Sequence, residues 1–192
     1  MKEAIYAAYG NRLGLEDQAQ LGFSRIMTGD VENGLGVLNS LPADCDPCML
    51  YRARALAGRG DWAAGERLAA TVEARTPSIP TASLVRGRIL LDAGKAEAAL
   101  VSLREAERRQ PKWADPYKYE GDALARLGRW KEAEAAYARA YPLAPKWGGL
   151  HLKWGEAFAK LGKADEARAK WRTAAGLYLT PAEQTALAEI RQ

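Results

Sequence analysis

The sequence is poor in the residues that enzymes most often use for catalysis and metal binding. Among its 192 residues there are one histidine, two cysteines and two phenylalanines. The single histidine, His151, has no nucleophile near it in a recognisable motif, which excludes a sequence-readable Ser–His–Asp triad. The Gly34-Leu35-Gly36 stretch lacks the strand–turn–helix context of a phosphate-binding loop. We therefore predict that the chain is not an enzyme and binds no cofactor.

Long apolar runs and a dominant charge are also missing. No apolar run approaches the ~18–20 residues that span a bilayer, so we expect no membrane insertion. The net charge is only +4, from 28 Lys and Arg against 24 Asp and Glu. The densest charged segment, Arg104–Arg109, mixes both signs, and we interpret it as a solvated helix face. This balance argues against nucleic acid as the partner.

The chain has instead an internal period of 34 residues, marked by a glycine before each new helical pattern: Gly60, Gly94, Gly128 and Gly162. The residue seven positions earlier is always small: Ala53, Gly87, Gly121 and Gly155. The residue four positions earlier is always large and apolar: Leu56, Leu90, Leu124 and Phe158. Two close-packed antiparallel helices require this alternation of small and large residues, while no alternating Val/Ile/Thr segment suggests a sheet.

This pattern resembles the tetratricopeptide repeat family, whose unit is a helix–turn–helix. The best match carries Tyr117, Gly121, Leu124, Ala133, Tyr137, Ala140 and Pro145 at family positions, and the next carries Gly155, Phe158, Ala167, Trp171 and Ala174. Arg52, Arg86 and Glu120 stand where the family usually has leucine, which we interpret as tolerated drift. The resemblance implies an all-α fold, a right-handed α-solenoid of antiparallel helix pairs, and a packed structural role for His151.

The predicted organisation is one continuous repeat domain. It comprises an N-terminal helix (1–14), a short repeat (15–45), four full repeats (46–79, 80–113, 114–147 and 148–181) and a capping helix (180–192). The short repeat has only 31 residues from Gly29 to Gly60, and we place its deletion in the turn at 41–44. Thr180, Pro181 and Glu183 predict a capped helix start for the last element.

In such solenoids the first helices of successive repeats line a concave groove. Ten residues are predicted to line it here: Leu50, Tyr51, Arg54, Leu84, Arg88, Lys118, Tyr119, Asp122, Lys153 and Glu156. We expect a protein–protein interaction scaffold whose groove binds an extended peptide or helix, with an acidic group near Arg54 and Arg88. The alternative is that the groove charges merely pair across adjacent helices, at ~0–1 kcal/mol for each pair.

The Cys45-Asp46-Pro47-Cys48 segment is the one chemical motif outside the repeat pattern. Its spacing suits a structural disulfide, a redox-sensitive dithiol or half of a zinc site, although no second cysteine pair and no histidine lie nearby. A redox- or metal-responsive adaptor is therefore an alternative function. A disulfide would favour an oxidising compartment such as the periplasm, with a signal removed, over the default cytoplasm. A third alternative is a homo-oligomerisation module of a larger protein, pairing through residues 1–14.

Overall fold

The computed structural model describes residues 14–190, and this part of the chain consists of eleven α-helices without a β-strand. The helices are α1 (Leu15–Met27), α2 (Val31–Ser40), α3 (Asp46–Gly58), α4 (Trp62–Arg75), α5 (Pro80–Asp92), α6 (Ala96–Arg109), α7 (Ala114–Arg126), α8 (Trp130–Ala140), α9 (Gly148–Lys160), α10 (Ala164–Ala175) and α11 (Pro181–Ile190). The N-terminal helix predicted within 1–14, and the oligomer contact expected there, lie outside the described residues except for Gly14.

The chain divides into two compact units, the first up to Ala93 and the second from Gly94. In the first unit α1 packs on α2 and α3, α3 packs on α4, and α5 packs on both α3 and α4. In the second unit each helix from α6 to α9 packs on the next along the chain, and α11 packs on α9. The predicted fold class is confirmed, because consecutive helices pack as pairs within each unit. We call the odd-numbered helices from α1 to α9 first helices and the even-numbered ones second helices.

The recurring glycines end the first helix of each pair. Gly60 adopts φ +89°, in the left-handed region that residues with a Cβ atom rarely enter. The amide of Asp61 then donates to the carbonyl of Leu56 at 3.0 Å, which closes the αL helix ending known as a Schellman motif. Asp61 in turn caps α4, because its Oδ1 accepts from the amide of Ala64 at 3.1 Å. One short turn therefore ends one helix and starts the next.

Small residues allow the two helices of a pair to approach closely. A Cβ atom on Gly121 in α7 would lie 2.4 Å from the Tyr137 ring of α8, and one on Gly155 would lie 2.4 Å from the Trp171 indole. In the short repeat Gly22 and Gly34 face each other, each with the other's carbonyl oxygen within 2.9 Å of its missing Cβ. Large residues therefore pack against small ones in these helix pairs, as the sequence predicts.

The deletion in the short repeat lies in a helix rather than in the predicted turn. Helix α2 has 10 residues, whereas the corresponding α4 has 14. The connection that follows α2, at 41–45, is no shorter than the one at 76–79. The missing residues therefore come from the last turn of α2, which stops at Ser40 two residues before Pro42. Proline cannot supply the next helical amide, and it disfavours a helical conformation in the residue before it.

The capped start of α11 is confirmed. The amide of Thr180 donates to Glu183 Oε2 at 2.8 Å, and the amide of Glu183 donates back to Thr180 Oγ1 at 3.4 Å. The helix buries Leu187 in a cluster with Leu152 and Leu179. This helix covers apolar surface of the pair formed by α9 and α10.

Gly121→Ala is expected to destabilise the protein by about 1–3 kcal/mol, because the added methyl group overlaps the Tyr137 ring and that ring is fully buried. Gly36→Ala is the matched control, since nothing lies within 4 Å of a Cβ at this exposed helical position. The control should be stabilised by about 0.5–1 kcal/mol through helix propensity. Urea denaturation measures both changes, and equal effects would contradict the close-packing argument.

Candidate functional site

A mainly apolar cavity of about 250 Å³ opens beside α3 in the first unit. Three of the predicted groove residues line it, namely Leu50, Tyr51 and Arg54. Its remaining walls are largely apolar and come from α4, α5 and the connection between them, including Val72, Ile79 and Val85. Glu16 and Asp46 add negative charge at the border, and Asp46 pairs with Arg75 at 3.4 Å. The cavity has the volume of one large side chain.

Arg54 lies between this cavity and a second one of about 170 Å³ that Arg88 also lines. The guanidinium carbon of Arg54 is 4.0 Å from the centroid of the Phe23 ring and 5.5 Å from that of Tyr51. Such cation–π contacts hold a charged group against an apolar surface. Burial raises the pKa of Tyr51, so its hydroxyl is neutral in the physiological range. Arg54 therefore borders both cavities, whereas Arg88 borders only the smaller one, which Asp92 also lines.

Leu84 does not line either of these cavities. Its side chain is in the interior of the first unit, with only 5% of the residue exposed. Leu84 is therefore not exposed to a partner, in contrast to our expectation. Leu50 is nearly as buried (7%), but the exposed part of its side chain faces the larger cavity.

In the second unit Lys118 and Asp122 belong to a buried network. Lys118 Nζ is 2.7 Å from Asp122 Oδ2, and the Tyr137 hydroxyl donates to Asp122 Oδ1 at 2.9 Å. Burial alone would lower the pKa of Lys118, but the charge of Asp122 raises it. Lys118 also lies 4.5 Å from the Tyr119 ring, which packs edge-on against Trp147. Only 7% of Lys118 is exposed, so the lysine is not the accessible groove cation that we expected.

The groove charges of the second unit pair within a helix, and not across adjacent helices as the alternative interpretation had it. Lys118–Asp122 is one such pair, and Lys153–Glu156, at 2.9 Å, is another. Asp122, Lys153 and Glu156 border a cavity of about 220 Å³ together with Trp130. This cavity is more polar than the one beside Leu50, because ion-paired side chains form much of its wall.

Cys45 and Cys48 form a disulfide at the start of α3. Cys45 is the N-cap residue, and the two residues between the cysteines, Asp46 and Pro47, line the 250 Å³ cavity. The two residues that the disulfide encloses are therefore part of the surface to which Leu50 and Tyr51 belong. Within residues 14–190, no group of three or more His, Cys, Asp or Glu side chains could hold a metal ion.

His151 is packed in the interior of the second unit. Only 3% of the residue is exposed, its Nε2 lies 2.9 Å from the Pro145 carbonyl oxygen, and the Tyr141 ring packs edge-on against it. No helix in the described part of the chain has the length and apolar character needed to cross a bilayer.

The three polar residues at the family's leucine position are not drift, because each binds the preceding second helix. Arg52 donates to the carbonyls of Leu38, Leu41 and Pro42, where α2 ends. Arg86 pairs with Glu66 and Glu73 of α4, each at 3.1 Å, and Glu120 pairs with Arg104 of α6 at 2.9 Å. Their recurrence at one repeat position was the sequence signal that our interpretation overlooked.

Glu120 also belongs to a buried charged cluster that the sequence did not predict. Arg139 of α8 bonds to both Glu120 and Glu107. Burial and the neighbouring Glu120 carboxylate raise the pKa of Glu107 to about 8. The segment Arg104–Arg109 is thus not a purely solvated face, since Glu107 is only 9% exposed.

The raised pKa of Glu107 predicts a loss of stability with rising pH. Between the unfolded value near 4.5 and about 8, the folded chain holds a proton that the unfolded chain has released. The unfolding free energy should fall across this window, by up to about 1.4 kcal/mol per pH unit, and level off above it. The glutamine of Glu107→Gln is neutral at every pH, so the unfolding free energy of this variant should not fall in this window. At pH 9 the variant should be more stable than the wild type.

Urea denaturation between pH 5 and pH 9 measures the effect. Glu105→Gln is the control on the same helix, because Arg108 and Arg109 lower the pKa of Glu105 to about 2, outside the window. The control should keep the wild-type slope. An unchanged slope in Glu107→Gln would show that Glu107 is ionised throughout.

The sequence matches a model of the tetratricopeptide repeat family over residues 50–116 and 102–146. Together these ranges cover half of the chain, from 50 to 146. The chain therefore belongs to the tetratricopeptide repeat family. No curated protein sequence matches it.

Solved structures support the same fold. A thermophilic TPR protein from Thermus thermophilus, TTC0263, superposes with a TM-score of 0.79 at 21% identity, over 92% of this chain and 98% of that one. MamA (residues 41 to the end) from Desulfovibrio magneticus gives a TM-score of 0.66 at 21% identity, over 84% and 95% of the two chains. At these identities the likeness concerns the fold alone.

Proposed function

We propose that the protein is a non-enzymatic interaction scaffold that binds an extended peptide segment along α3 and α5 of the first unit. The observation that supports this proposal is the apolar cavity beside Leu50 and Tyr51, bordered by Arg54. Tetratricopeptide repeats present such surfaces to protein partners. The peptide inserts one large apolar side chain into the cavity and carries an acidic residue that faces Arg54 and Arg88.

The two contacts have different roles. Burying one large apolar side chain contributes about 1.5–3 kcal/mol, so the cavity supplies most of the affinity. The arginines contribute selectivity, because an acidic group is attracted to the two cations and a basic one is repelled. Arg54 is already held on the rings of Phe23 and Tyr51, which reduces the side-chain entropy lost when a peptide binds. In the second unit, the cavity beside Lys153, Glu156 and Trp130 is proposed as a further, more polar contact surface.

A displayed library of random peptides, selected on the full chain, tests the proposal. The selected peptides should share one large apolar residue with Asp or Glu close to it. Arg54→Glu/Arg88→Glu should lose these peptides, because the acidic residue would then face two carboxylates. Arg59→Glu/Arg67→Glu is the matched control, with the same change of charge at exposed positions of the same unit. Helical circular dichroism verifies that both variants fold.

Two results would contradict the peptide proposal. One is a selected consensus without acidic residues, and the other is equal peptide binding by the two double variants. A further variant, Val85→Glu, places a carboxylate at the wall of the cavity and tests the apolar contact independently of the arginines.

A second candidate function is a redox-responsive form of the same scaffold. The observation that favours it is the position of the disulfide, which encloses the cavity residues Asp46 and Pro47. A small dithiol would reduce the Cys45–Cys48 bond to two thiols and would itself be oxidised to a cyclic disulfide. Reduction removes the covalent constraint on the first turn of α3, so the cavity wall gains freedom.

Peptide affinity should consequently be weaker after reduction than before it. Cys45→Ser/Cys48→Ser should show the weaker affinity with or without the dithiol. Fluorescence titration with a library-selected peptide measures the affinity, and a thiol count verifies the reduction. If reduced and oxidised protein bind the peptide equally, the disulfide is structural only.

A further inference from the structure

Another cavity, charged and about 450 Å³ in volume, lies in the second unit between α6 and α8. Arg104 comes from α6, and Arg139 and Glu132 come from α8. The buried carboxyl groups of Glu107 and Glu120 complete the cavity on its inner side. This surface is formed mainly by second helices, so it is distinct from the cavity proposed for the peptide.

The two arginines are held side by side by one buried carboxylate. Glu120, whose side chain is 4% exposed, accepts from Arg104 Nε at 2.9 Å and also bonds to Arg139. Arg139 additionally contacts Glu107 at 3.3 Å, and its guanidinium carbon lies 4.7 Å from the centroid of the Tyr117 ring. Both arginine side chains nevertheless remain half exposed, at 53% and 50%. Their guanidinium groups are therefore held in place by buried carboxylates and are accessible from the cavity.

The charge balance at the cavity depends on Arg129, the ion-pair partner of the lining residue Glu132, which does not itself line the cavity. Glu120 balances one of the two arginines, and Glu132 is already paired with Arg129 at 2.6 Å. Glu107 Oε1 is buried and has no hydrogen-bond partner among the described residues, which disfavours an ionised Glu107. Its pKa of about 8 is in agreement with a neutral carboxyl group. With Arg129 counted beside Glu132, the three arginines outnumber the two ionised carboxylates, Glu120 and Glu132, by one.

We propose that this cavity is a second binding site, for a carboxylate of an acidic partner segment bridged by Arg104 and Arg139. A guanidinium group donates two parallel hydrogen bonds to a carboxylate in a planar geometry, and anchored arginines lose little side-chain entropy when they bind one. A cation is disfavoured, because both arginines would repel it. The pH dependence follows from the same residues: ionisation of Glu107 beside Glu120 cancels the excess charge and weakens binding above pH 8.

Calorimetric titration of the full chain at low salt tests the site with two probes, a tetraglutamate peptide and inorganic phosphate. The peptide should bind and phosphate should bind more weakly. Arg104→Gln should lower the affinity for the peptide about tenfold, the effect of losing a charge-assisted hydrogen bond. Arg108→Gln is the matched control, because it removes the same charge from the same helix at a side chain that is 71% exposed and outside the cavity.

The same titration is repeated with Arg54→Gln/Arg88→Gln present, which removes the groove cations of the first unit. The loss of tetraglutamate affinity caused by Arg104→Gln should persist in this background. The test of this site is therefore independent of the proposed peptide groove. In wild type the affinity should decrease between pH 7 and pH 9, and in Glu107→Gln it should not.

Three results would overturn the proposal. The first is no saturable binding of either probe, and the second is equal affinity of Arg104→Gln and Arg108→Gln. The third is tighter binding of phosphate than of the peptide, which would assign the cavity to a small oxyanion instead of an acidic partner segment. Arg139→Gln gives an independent reading if Arg104→Gln fails to fold.

Discussion

The close approach of two helices over a missing side chain is the constraint on which each repeat depends. Where Gly121 faces Tyr137, the ring occupies the space of an absent Cβ and is completely buried. The buried ring then positions its hydroxyl against Asp122, and Asp122 in turn holds Lys118. The missing side chain of Gly121 thus allows the Tyr137 ring to be buried, and the buried ring in turn positions the Asp122–Lys118 pair. The same logic applies to Gly155 and Trp171, whose indole donates to the Leu152 carbonyl.

A second constraint acts between consecutive repeats, where this chain uses polar contacts in place of a leucine. Arg52 satisfies carbonyls that the end of α2 leaves without helical partners. Arg86 and Glu120 instead form ion pairs that are partly removed from solvent. Burying charge is costly unless every partner is present, so these contacts favour one register of neighbouring helices over others more than they add stability.

The turns, the pair packing and the C-terminal cap could be predicted because they depend on neighbours in sequence. The positive φ of Gly60 and the reciprocal bonds of Thr180 and Glu183 involve residues within a few positions of each other. The burial of Lys118 and Glu107 could not be predicted in this way. It depends on Asp122 and Tyr137 in one case and on Glu120 and Arg139 in the other, which helix packing brings together. The deletion was misplaced for a related reason: Pro42 marks where a helix must have ended, but not how many turns were lost before it.

Charged residues along the repeats therefore differ in whether a partner can reach them, and burial causes the difference. Lys118 is buried and paired with Asp122, and a partner would have to break that pair to reach the lysine. Arg54, Arg104 and Arg139 are different, since each is fixed by an aromatic ring or a buried carboxylate and yet borders a cavity. A fixed cation at a cavity has already lost much of its side-chain freedom, so less free energy is lost to ordering that side chain when an anion binds. The most promising contacts for partners are thus the arginines whose positions the interior determines, and not the positions at which charge is densest in the sequence.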